Sequence, residues 1–522
     1  MPGSVLLRRG VVHSPVDPRA SAMLVVGDQV VWVGREDAAA GHVDTAGSVV
    51  NLDGALVTPA FVDAHVHVTE TGLANGGLDL TGCASVTELL DRVAAYARAR
   101  PGVPVLGHGW DERTWPEPRP PGRAEIDRAA GGEVAYLARV DVHSAVVSTS
   151  LPDLAPAITA ADGYADGLVR RDAHHIARRA TRDGVTPSRR RDLQRSTLRR
   201  AAALGIGAVH EIGAPHIAGP DDVQSLLAMA AEEPVPDVIA YWGATGVGVD
   251  HAGKLGCAGA AGDLNLDGSL GSRTAALSEP YRDAPGERGH LYLTLEDAAE
   301  HVVGCTRAGL QAGFHCIGDE AVRTAVDAIA QAAERCGLAE VAAARHRLEH
   351  VEMISPELVA EMARLGVAAS VQPRFDEFWG GDEGMYATRL GVARARSMNP
   401  FAAFARAGVA LALGSDSPVT PLGGWEMVRA AAHHHVPEHR MSVPAAFHAA
   451  TRGGWWSARI DDAGVLAPDM LATYAIWYAP GGRSAAWPSG KPGLPDLGQG
   501  DELPRCVQTV VRGRTVYDSV SP

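Results

Sequence analysis

The segment Asp63-Ala64-His65-Val66-His67 contains two histidines whose spacing suits a shared metal ion. They follow an apolar run that is typical of a strand, and residues two apart on a strand lie on the same face. Neutral imidazole is the commonest metal ligand in proteins, so two imidazoles on one face supply half of a site. Because the chain contains 21 histidines, this pair alone is a weak signal.

Three later segments place a histidine or an aspartate just beyond a strand-like run, at 310–314, 345–348 and 409–413. In a (β/α)8 barrel the catalytic groups lie at the C-terminal ends of the strands, so these residues would meet the first pair. Four histidines and one aspartate form a nitrogen and oxygen ligand set that suits Zn²⁺. The predicted metal centre therefore consists of His65, His67, His315, His350 and Asp416.

The elements that position these residues alternate between strands and helices. Strand-like runs such as 205–209 and 367–371 are interspersed with helical patterns such as 319–335 and 356–365. This repeated β-then-α order predicts a parallel sheet or a closed (β/α)8 barrel.

Both ends of the chain are rich in short strands. Residues 4–57 include a hairpin signal at Gly27-Asp28, and residues 504–518 have two strands around Arg512-Gly513. These ends predict one small β-domain built from both termini. The Pro- and Gly-rich stretch 480–502 is expected to be a loop within that domain.

Composition and charge exclude several classes of protein. With 522 residues, 46% of them hydrophobic, the chain can form a large buried core, which argues against global disorder. The net charge of −15 argues against nucleic acid or an anionic membrane as a partner. For the same reason the arginine-rich stretch 170–200 is interpreted as the solvated face of a helix at 187–203.

No apolar run reaches the ~20 residues of a membrane helix. Six scattered cysteines indicate reduced thiols in a cytoplasmic protein.

Seven motifs, spread in order along nearly the whole chain, carry a family resemblance. The sequence resembles the amidohydrolase superfamily, and specifically the amidohydrolase family 3 branch that includes N-substituted formamide deformylase-like and YtcJ-like metal-dependent hydrolases. The motifs are PAFVDAHVH (59–67), GHGWDE (107–112), DGSLGSRTAAL (267–277), FHCIGDEA (314–321), RHRLEHVEMI (345–354), SVQPRF (370–375) and GSDSPV (414–419).

The resemblance implies a (β/α)8 TIM-like barrel at 58–462 and a composite β-sandwich formed by residues 1–57 plus 463–522. It also implies an inserted subdomain at about 70–200 over the barrel mouth. The metal ligands it implies are His65 and His67 on strand 1, His315 on strand 5, His350 on strand 6 and Asp416 on strand 8.

One position departs from the family pattern. Many members carry a lysine four residues before the Asp-Gly of the DGSLGSRT motif, where its carbamate bridges two metal ions. Here that residue is Asp263, which cannot be carbamylated. Either one ion is lost or another carboxylate bridges, and the candidates are Asp263 itself and Glu211 at the end of the strand that begins at Gly205. One or two divalent ions, with zinc expected, are consistent with the sequence.

The site predicts a mechanism based on a metal-activated water. Asp416 is expected to be the general base, since it is the only carboxylate among the five matched positions. His350 is expected to be either a ligand or the group that stabilises the oxyanion. Chemistry and resemblance together predict that Trp110, His143 and Arg273 bind the substrate.

The favoured function is hydrolysis of carbon–nitrogen bonds other than peptide bonds, in an N-substituted amide or formamide. A mononuclear deaminase of a small heterocycle is the alternative, and the missing lysine makes it more credible. A non-catalytic binding protein on the same fold is less well supported, because all five metal positions are intact. We expect a small-molecule substrate, no nucleic-acid or membrane partner, and a homodimer.

Overall fold

The centre of the chain forms an eight-stranded parallel sheet whose strands are adjacent in chain order. The structure is a computed structural model and describes residues 3–480 and 493–519. The strands are β1 (Phe61–Val66), β2 (Ile206–Gly213), β3 (Asp237–Trp242), β4 (Gly259–Ala260), β5 (Gln311–Cys316), β6 (Arg347–His350), β7 (Ala368–Val371) and β8 (Ala410–Leu413).

The first and last strands meet, so the sheet closes into a barrel. Val66 forms a parallel bridge with Ser417, the amide of Asp416 donates to the His65 carbonyl at 2.7 Å, and the amide of His67 donates to the Ser417 carbonyl at 3.0 Å. The prediction of a (β/α)8 barrel is confirmed.

Amphipathic helices surround the barrel. In the helix Asp319–Cys336, residues three and four apart such as Val322, Val326 and Ile329 are buried against the strands, as a helix with one apolar stripe requires. The other helices that follow barrel strands are Pro220–Glu232, Val247–Leu255, Leu295–Arg307, Pro356–Leu365, Phe401–Ala407 and Gly424–Ala432, while Pro187–Ala203 precedes β2.

Both termini contribute to two small sheets that share a core. Leu7 and Met23 from the N-terminal end pack in one apolar cluster with Tyr474 and Val510 from the C-terminal end, as the sequence predicted. Residues 481–492 of the loop expected at 480–502 lie outside the described residues. One sheet contains Ser4–Arg8, Ala22–Val26, Gln29–Gly34 and Ser48–Asn51, and the other contains Val11–Val12, Leu56–Pro59, Tyr474–Tyr478, Arg505–Val511 and Arg514–Asp518.

An inserted subdomain lies between β1 and β2 and covers the barrel mouth. It has its own apolar core, in which Leu89, Val105 and Leu137 are buried. Its main helices are Val68–Gly76, Val86–Ala99, Arg123–Ala130 and Arg171–Asp183. Its six-stranded sheet consists of Leu78–Asp79, Val105–Trp110, Ala135–Arg139, Ser144–Val147, Tyr164–Ala165 and Leu168–Arg170.

The arginine-rich stretch differs in part from the expected solvated helix. The helix Pro187–Ala203 does expose Arg199, but the preceding helix buries Arg178 and Arg182. Their guanidinium groups lie 3.6 and 3.8 Å from the carboxylate of Glu70. The hydrophilic composition of this stretch therefore did not indicate that two of its arginines are buried.

Within the described residues, no helix combines the length and apolar character needed to span a bilayer.

Candidate metal centre

Six side chains converge at the C-terminal end of the barrel. Those of β1, β5 and β6 lie within the strand or one residue beyond it, whereas the two aspartates follow β4 and β8 by three residues. None of the six is more than 8% exposed. They are His65, His67, Asp263, His315, His350 and Asp416, and they form three groups whose ligand atoms lie within 4.8 Å of one another.

The backbone is locally unfavourable at two of these positions and at the residue that follows one of them. His350, Val351 and Asp416 have φ values of 70°, 50° and 53°, in the left-handed region that non-glycine residues rarely adopt. Such conformations persist where the surrounding structure determines them, and they cluster at functional sites. Before Asp263, Gly262 has φ 85°, and a Cβ there would lie 2.6 Å from the Ile212 side chain. A glycine is therefore required where the chain turns Asp263 towards the cluster.

A buried ion pair orients His65. Its Nδ1 lies 2.9 Å from Oε2 of Glu349, whose carboxylate also accepts from the Arg347 guanidinium at 2.5 and 3.1 Å. Arg347 and Glu349 are both fully buried inside the barrel. A carboxylate on one ring nitrogen fixes the tautomer and directs the other nitrogen, Nε2, towards the cluster.

The other three imidazoles are oriented in the same way. Nδ1 of His67 lies 2.9 Å from the Ile212 carbonyl, and Nδ1 of His350 lies 2.7 Å from Oε1 of Gln372. In His315 the two ring nitrogens exchange roles. Its Nε2 lies 3.2 Å from the Gly268 carbonyl, and its Nδ1 faces the cluster. Each histidine therefore directs its other ring nitrogen towards the same region.

The cluster contains buried atoms that lack hydrogen-bond partners within the described chain. They are Nε2 of His65, Nδ1 of His315, Oδ1 of Asp263 and Oδ1 of Asp416. Buried polar atoms are normally hydrogen-bonded, so unpartnered nitrogen and oxygen atoms in one cluster suit a bound cation. The donor set of imidazole nitrogens and carboxylate oxygens fits zinc or a similar divalent ion.

Asp263 lies between two pairs of histidines. Its Oδ1 is 3.6 Å from Nε2 of His65 and 3.6 Å from Nδ1 of His315, and its Oδ2 is 3.4 Å from Nε2 of His67. It also belongs to two ligand groups, one with His65 and His67 and the other with His315 and His350. Its Oδ1 thus faces one histidine of each pair, and its Oδ2 faces His67.

The aspartates of the cluster are ionised. Burial by itself would raise the pKa of Asp416, but the facing imidazoles of His65 and His67 outweigh it and lower that pKa. Burial is outweighed in the same way at Asp263, whose pKa falls well below its usual value beside His315 and His65. The charged form is the one that binds a cation or accepts a proton.

Similarity to known proteins extends over most of the chain. Residues 48–517 match the amidohydrolase family. This chain belongs to the amidohydrolase family.

Individual relatives agree with this assignment. The chain is 26% identical over 502 residues to the protein LONG AFTER FAR-RED 3 of Arabidopsis thaliana, a match that covers 88% of this chain and 84% of that protein. It is 24% identical to the putative amidohydrolase YtcJ of Bacillus subtilis over 72% of each chain. A metal-dependent hydrolase from Pyrococcus furiosus superposes with a TM-score of 0.72 at 26% identity, over 91% of this chain and 98% of that one. The protein is thus a metal-dependent hydrolase of the amidohydrolase type.

Glu211, the other carboxylate considered as a bridge, lies beside His67 but outside the ligand groups of this amidohydrolase. Its Oε2 accepts a hydrogen bond of 2.8 Å from the Val68 amide, and it belongs to none of the ligand groups found among the described residues. Burial raises the pKa of Glu211 to about 8, so its neutral form is substantially populated at pH 7. Asp263 is the carboxylate that the fold places among the clustered histidines.

Of the three residues predicted to bind substrate, only His143 lies beside the cluster. Its ring centre is 5.2 Å from that of His315, and it lines the cavities there. Burial lowers the pKa of His143 to about 4, so this imidazole is neutral. Trp110 is buried in the core of the inserted subdomain, where its indole donates to the Leu137 carbonyl at 2.8 Å. Arg273 pairs with Asp283 at 2.7 Å.

Two sets of cavity residues in this amidohydrolase were missed by the sequence reasoning. His175, Arg178 and His216 line a chamber that also touches His67 and Asp263. Burial lowers the pKa of both histidines, so the basic character of this chamber among the described residues comes from Arg178. His216 lies three residues beyond β2, and that position after a strand was a signal that could have revealed it. The second chamber lies on the side of β5 to β8 and is lined by Leu270, Ile317, Glu352, Phe375, Trp379 and Tyr386.

Proposed function

We propose that this amidohydrolase cleaves carbon–nitrogen bonds other than peptide bonds, in an N-substituted amide or formamide. The observation that carries the proposal is the set of unpartnered imidazole and carboxylate atoms that meet at the barrel mouth. The similarity of the seven motifs to the formamide deformylase-like branch supports this choice of substrate.

The ligand geometry favours two divalent ions, with zinc as the expected metal. Asp263 would bridge them, because it is shared by the His65–His67 pair and the His315–His350 pair. It would thus take the place of the carbamylated lysine. When bound, such ions lower the pKa of a water ligand from about 15.7 to roughly 7 and polarise a carbonyl group.

Asp416 is the proposed general base. Its Oδ1 lies 3.2 Å from Nε2 of His67 and 3.4 Å from Nε2 of His65, at the centre of the cluster, and its carboxylate is ionised. It would accept a proton from the attacking water and return that proton to the leaving nitrogen. Amine release requires this second transfer, because an amide anion is a poor leaving group.

His143 is proposed to donate a hydrogen bond to the oxyanion that forms from the substrate carbonyl. Its imidazole is neutral and buried, and its ring lies beside that of His315. A donor fixed in a site from which water is excluded stabilises developing negative charge strongly. His350 is proposed as a metal ligand, since Gln372 already binds its Nδ1.

The test is a substrate panel with the zinc-loaded protein. N-substituted formamides and acetamides are assayed for the released carboxylate and amine, and small amino-heterocycles are assayed for ammonia. We expect carboxylate and amine in equal amounts, no ammonia, and no turnover by Asp416→Asn. Ammonia release from a heterocycle, together with one zinc per chain, would support the mononuclear deaminase instead.

A further inference from the structure

The chamber on the side of β5 to β8 contains a carboxyl group that the proposed chemistry does not use. Glu352 is 3% exposed and lines this chamber together with His315, His350 and Asp416. Its Oε2 has no hydrogen-bond partner among the described residues. A buried carboxylate oxygen without a partner is rare in folded proteins, which points to an occupant that supplies a donor.

Two polar neighbours of Glu352 are also incompletely bonded. The Tyr386 hydroxyl and the Asn399 side-chain amide nitrogen are both buried beside the Glu352 carboxyl, and the hydroxyl interacts with that carboxyl and with Asn399 without a well-formed hydrogen bond to either. The Asn399 backbone amide donates to the Glu352 carbonyl at 2.9 Å, so the two residues adjoin. Glu352 and Tyr386 are thus prearranged polar groups that face a cavity.

The charges that line this chamber favour a cation. Among the described residues, no lysine or arginine lines it. The carboxylate of Asp141 is already neutralised, because it lies 3.1 Å from the Arg139 guanidinium and accepts hydrogen bonds from Ser269 and Ser272. Asp416 belongs to the metal cluster. Burial raises the pKa of Glu352 to about 7, and no cationic side chain among the described lining residues neutralises its charged form.

Aromatic rings complete the chamber. Phe375 stacks on His350 at 5.9 Å with an interplanar angle of 9°, and Trp379 lies 4.9 Å from Phe375. The faces of aromatic rings attract cations, most strongly where water is excluded. An acidic group among aromatic rings is a combination that recognises an alkylammonium ion.

We propose that the substrate carries an ammonium group on its nitrogen substituent and that Glu352 binds this group. The inference rests on the proposed amide hydrolysis, because the scissile bond must lie at the metal cluster while the substituent extends along the chamber towards Glu352. The substrate class is then an N-acylated amine with a second, cationic amine. Tyr386 and the aromatic rings enclose the alkyl chain between the two nitrogens.

Paired substrates and paired variants test this subsite. N-formyl-1,4-diaminobutane and N-pentylformamide have the same chain length and differ in a terminal ammonium or methyl group. Glu352→Gln keeps the shape of the side chain and removes its charge. Glu383→Gln is the matched control, since Glu383 is exposed on a nearby loop and its loss changes the net charge equally.

The readout is the ratio of kcat/KM for the cationic substrate to that for the neutral one. A hydrogen-bonded charge pair predicts a ratio of at least about tenfold for the wild type and for Glu383→Gln. We expect the ratio to fall to about one in Glu352→Gln at equal zinc content. A wild-type ratio near one, or an equal fall in both variants, would overturn the subsite.

A binding experiment separates this inference from the proposed function. Isothermal titration of the zinc-loaded protein with benzylammonium and with its neutral counterpart, benzyl alcohol, needs no turnover. Tighter binding of benzylammonium that is lost only in Glu352→Gln supports the subsite, whether or not formamides are hydrolysed. A failure to hydrolyse any formamide would contradict the proposed amide hydrolysis and would not affect this binding result. Hydrolysis of formamides without any preference for benzylammonium would overturn the subsite and leave the proposed function intact.

Discussion

The two chambers beside the metal cluster have opposite chemistry. The inserted subdomain and the loop after β2 contribute His175, Arg178 and His216 to one chamber, whereas the β5-to-β8 side contributes Glu352 and aromatic rings to the other. The cluster lies between a basic and an acidic wall. This difference predicts the direction in which a substrate binds, with its electron-rich acyl oxygen towards the basic wall and its amine portion towards the acidic wall.

The largest effect should come from Asp416, which lines both chambers. Asp416→Asn removes the general base and one carboxylate of the cluster, so kcat should fall by about 10²- to 10⁴-fold or more. Steady-state kinetics check this, with thermal unfolding to confirm that the fold is kept. Near-normal turnover in a folded, zinc-loaded variant would rule out the assigned base.

His143 lines both chambers, and its replacement tests the proposed contact with the oxyanion. Its replacement in His143→Phe removes a hydrogen-bond donor near the reacting carbonyl, and kcat should fall by about 10²-fold with little change in KM. Glu352→Gln, on the acidic side, should change the choice of substrate instead. A His143→Phe variant that alters only KM would contradict the proposed oxyanion role.

Arg178 tests the charge of the basic wall. Its guanidinium is buried and its nearest carboxylate, Glu70, is 3.6 Å away, so it retains donors that can face an anion. In Arg178→Gln the affinity for formate should fall by about tenfold, measured as product inhibition. The control is Arg179→Gln, which removes an exposed charge from the same helix and should leave formate inhibition unchanged.

Trp110 should give the smallest effect, because it lies away from both walls. Trp110→Phe removes the hydrogen bond from the indole to the Leu137 carbonyl, which should lower the free energy of unfolding by about 1 kcal/mol. We expect kcat to stay within about twofold of wild type. Urea denaturation and steady-state kinetics of the same preparation measure the free energy of unfolding and kcat. A large loss of kcat at unchanged stability would indicate that Trp110 contacts the substrate.

The sequence predicted the members of the cluster because each lies at or near the end of a recognisable apolar strand. His65, His315 and Asp416 carry this local signal, and the barrel topology then brings them together. The choice between Asp263 and Glu211 needed side-chain directions, since β4 is only two residues long and gives little pattern. Their directions depend on the turn at Gly262 and on the Val68 amide, which sequence periodicity does not encode.

The chamber residues were harder to predict for a different reason. Arg178 belongs to a hydrophilic helix that resembles a solvated surface, and its burial arises from contact between the inserted subdomain and the barrel. Trp110 and Arg273 belong to matched motifs, but their partners are Leu137 and Asp283. Local sequence patterns predict which residues end a strand and leave open what a loop side chain contacts.

The central claim is that Asp263 replaces the bridging lysine of a two-metal centre. The most direct test is anomalous X-ray diffraction at the zinc edge from crystals of the zinc-loaded protein. We predict two zinc peaks with the Asp263 carboxylate between them, one bound by His65 and His67 and the other by His315 and His350. A single peak without contact to Asp263, or a pair of peaks bridged by Glu211, would contradict this account.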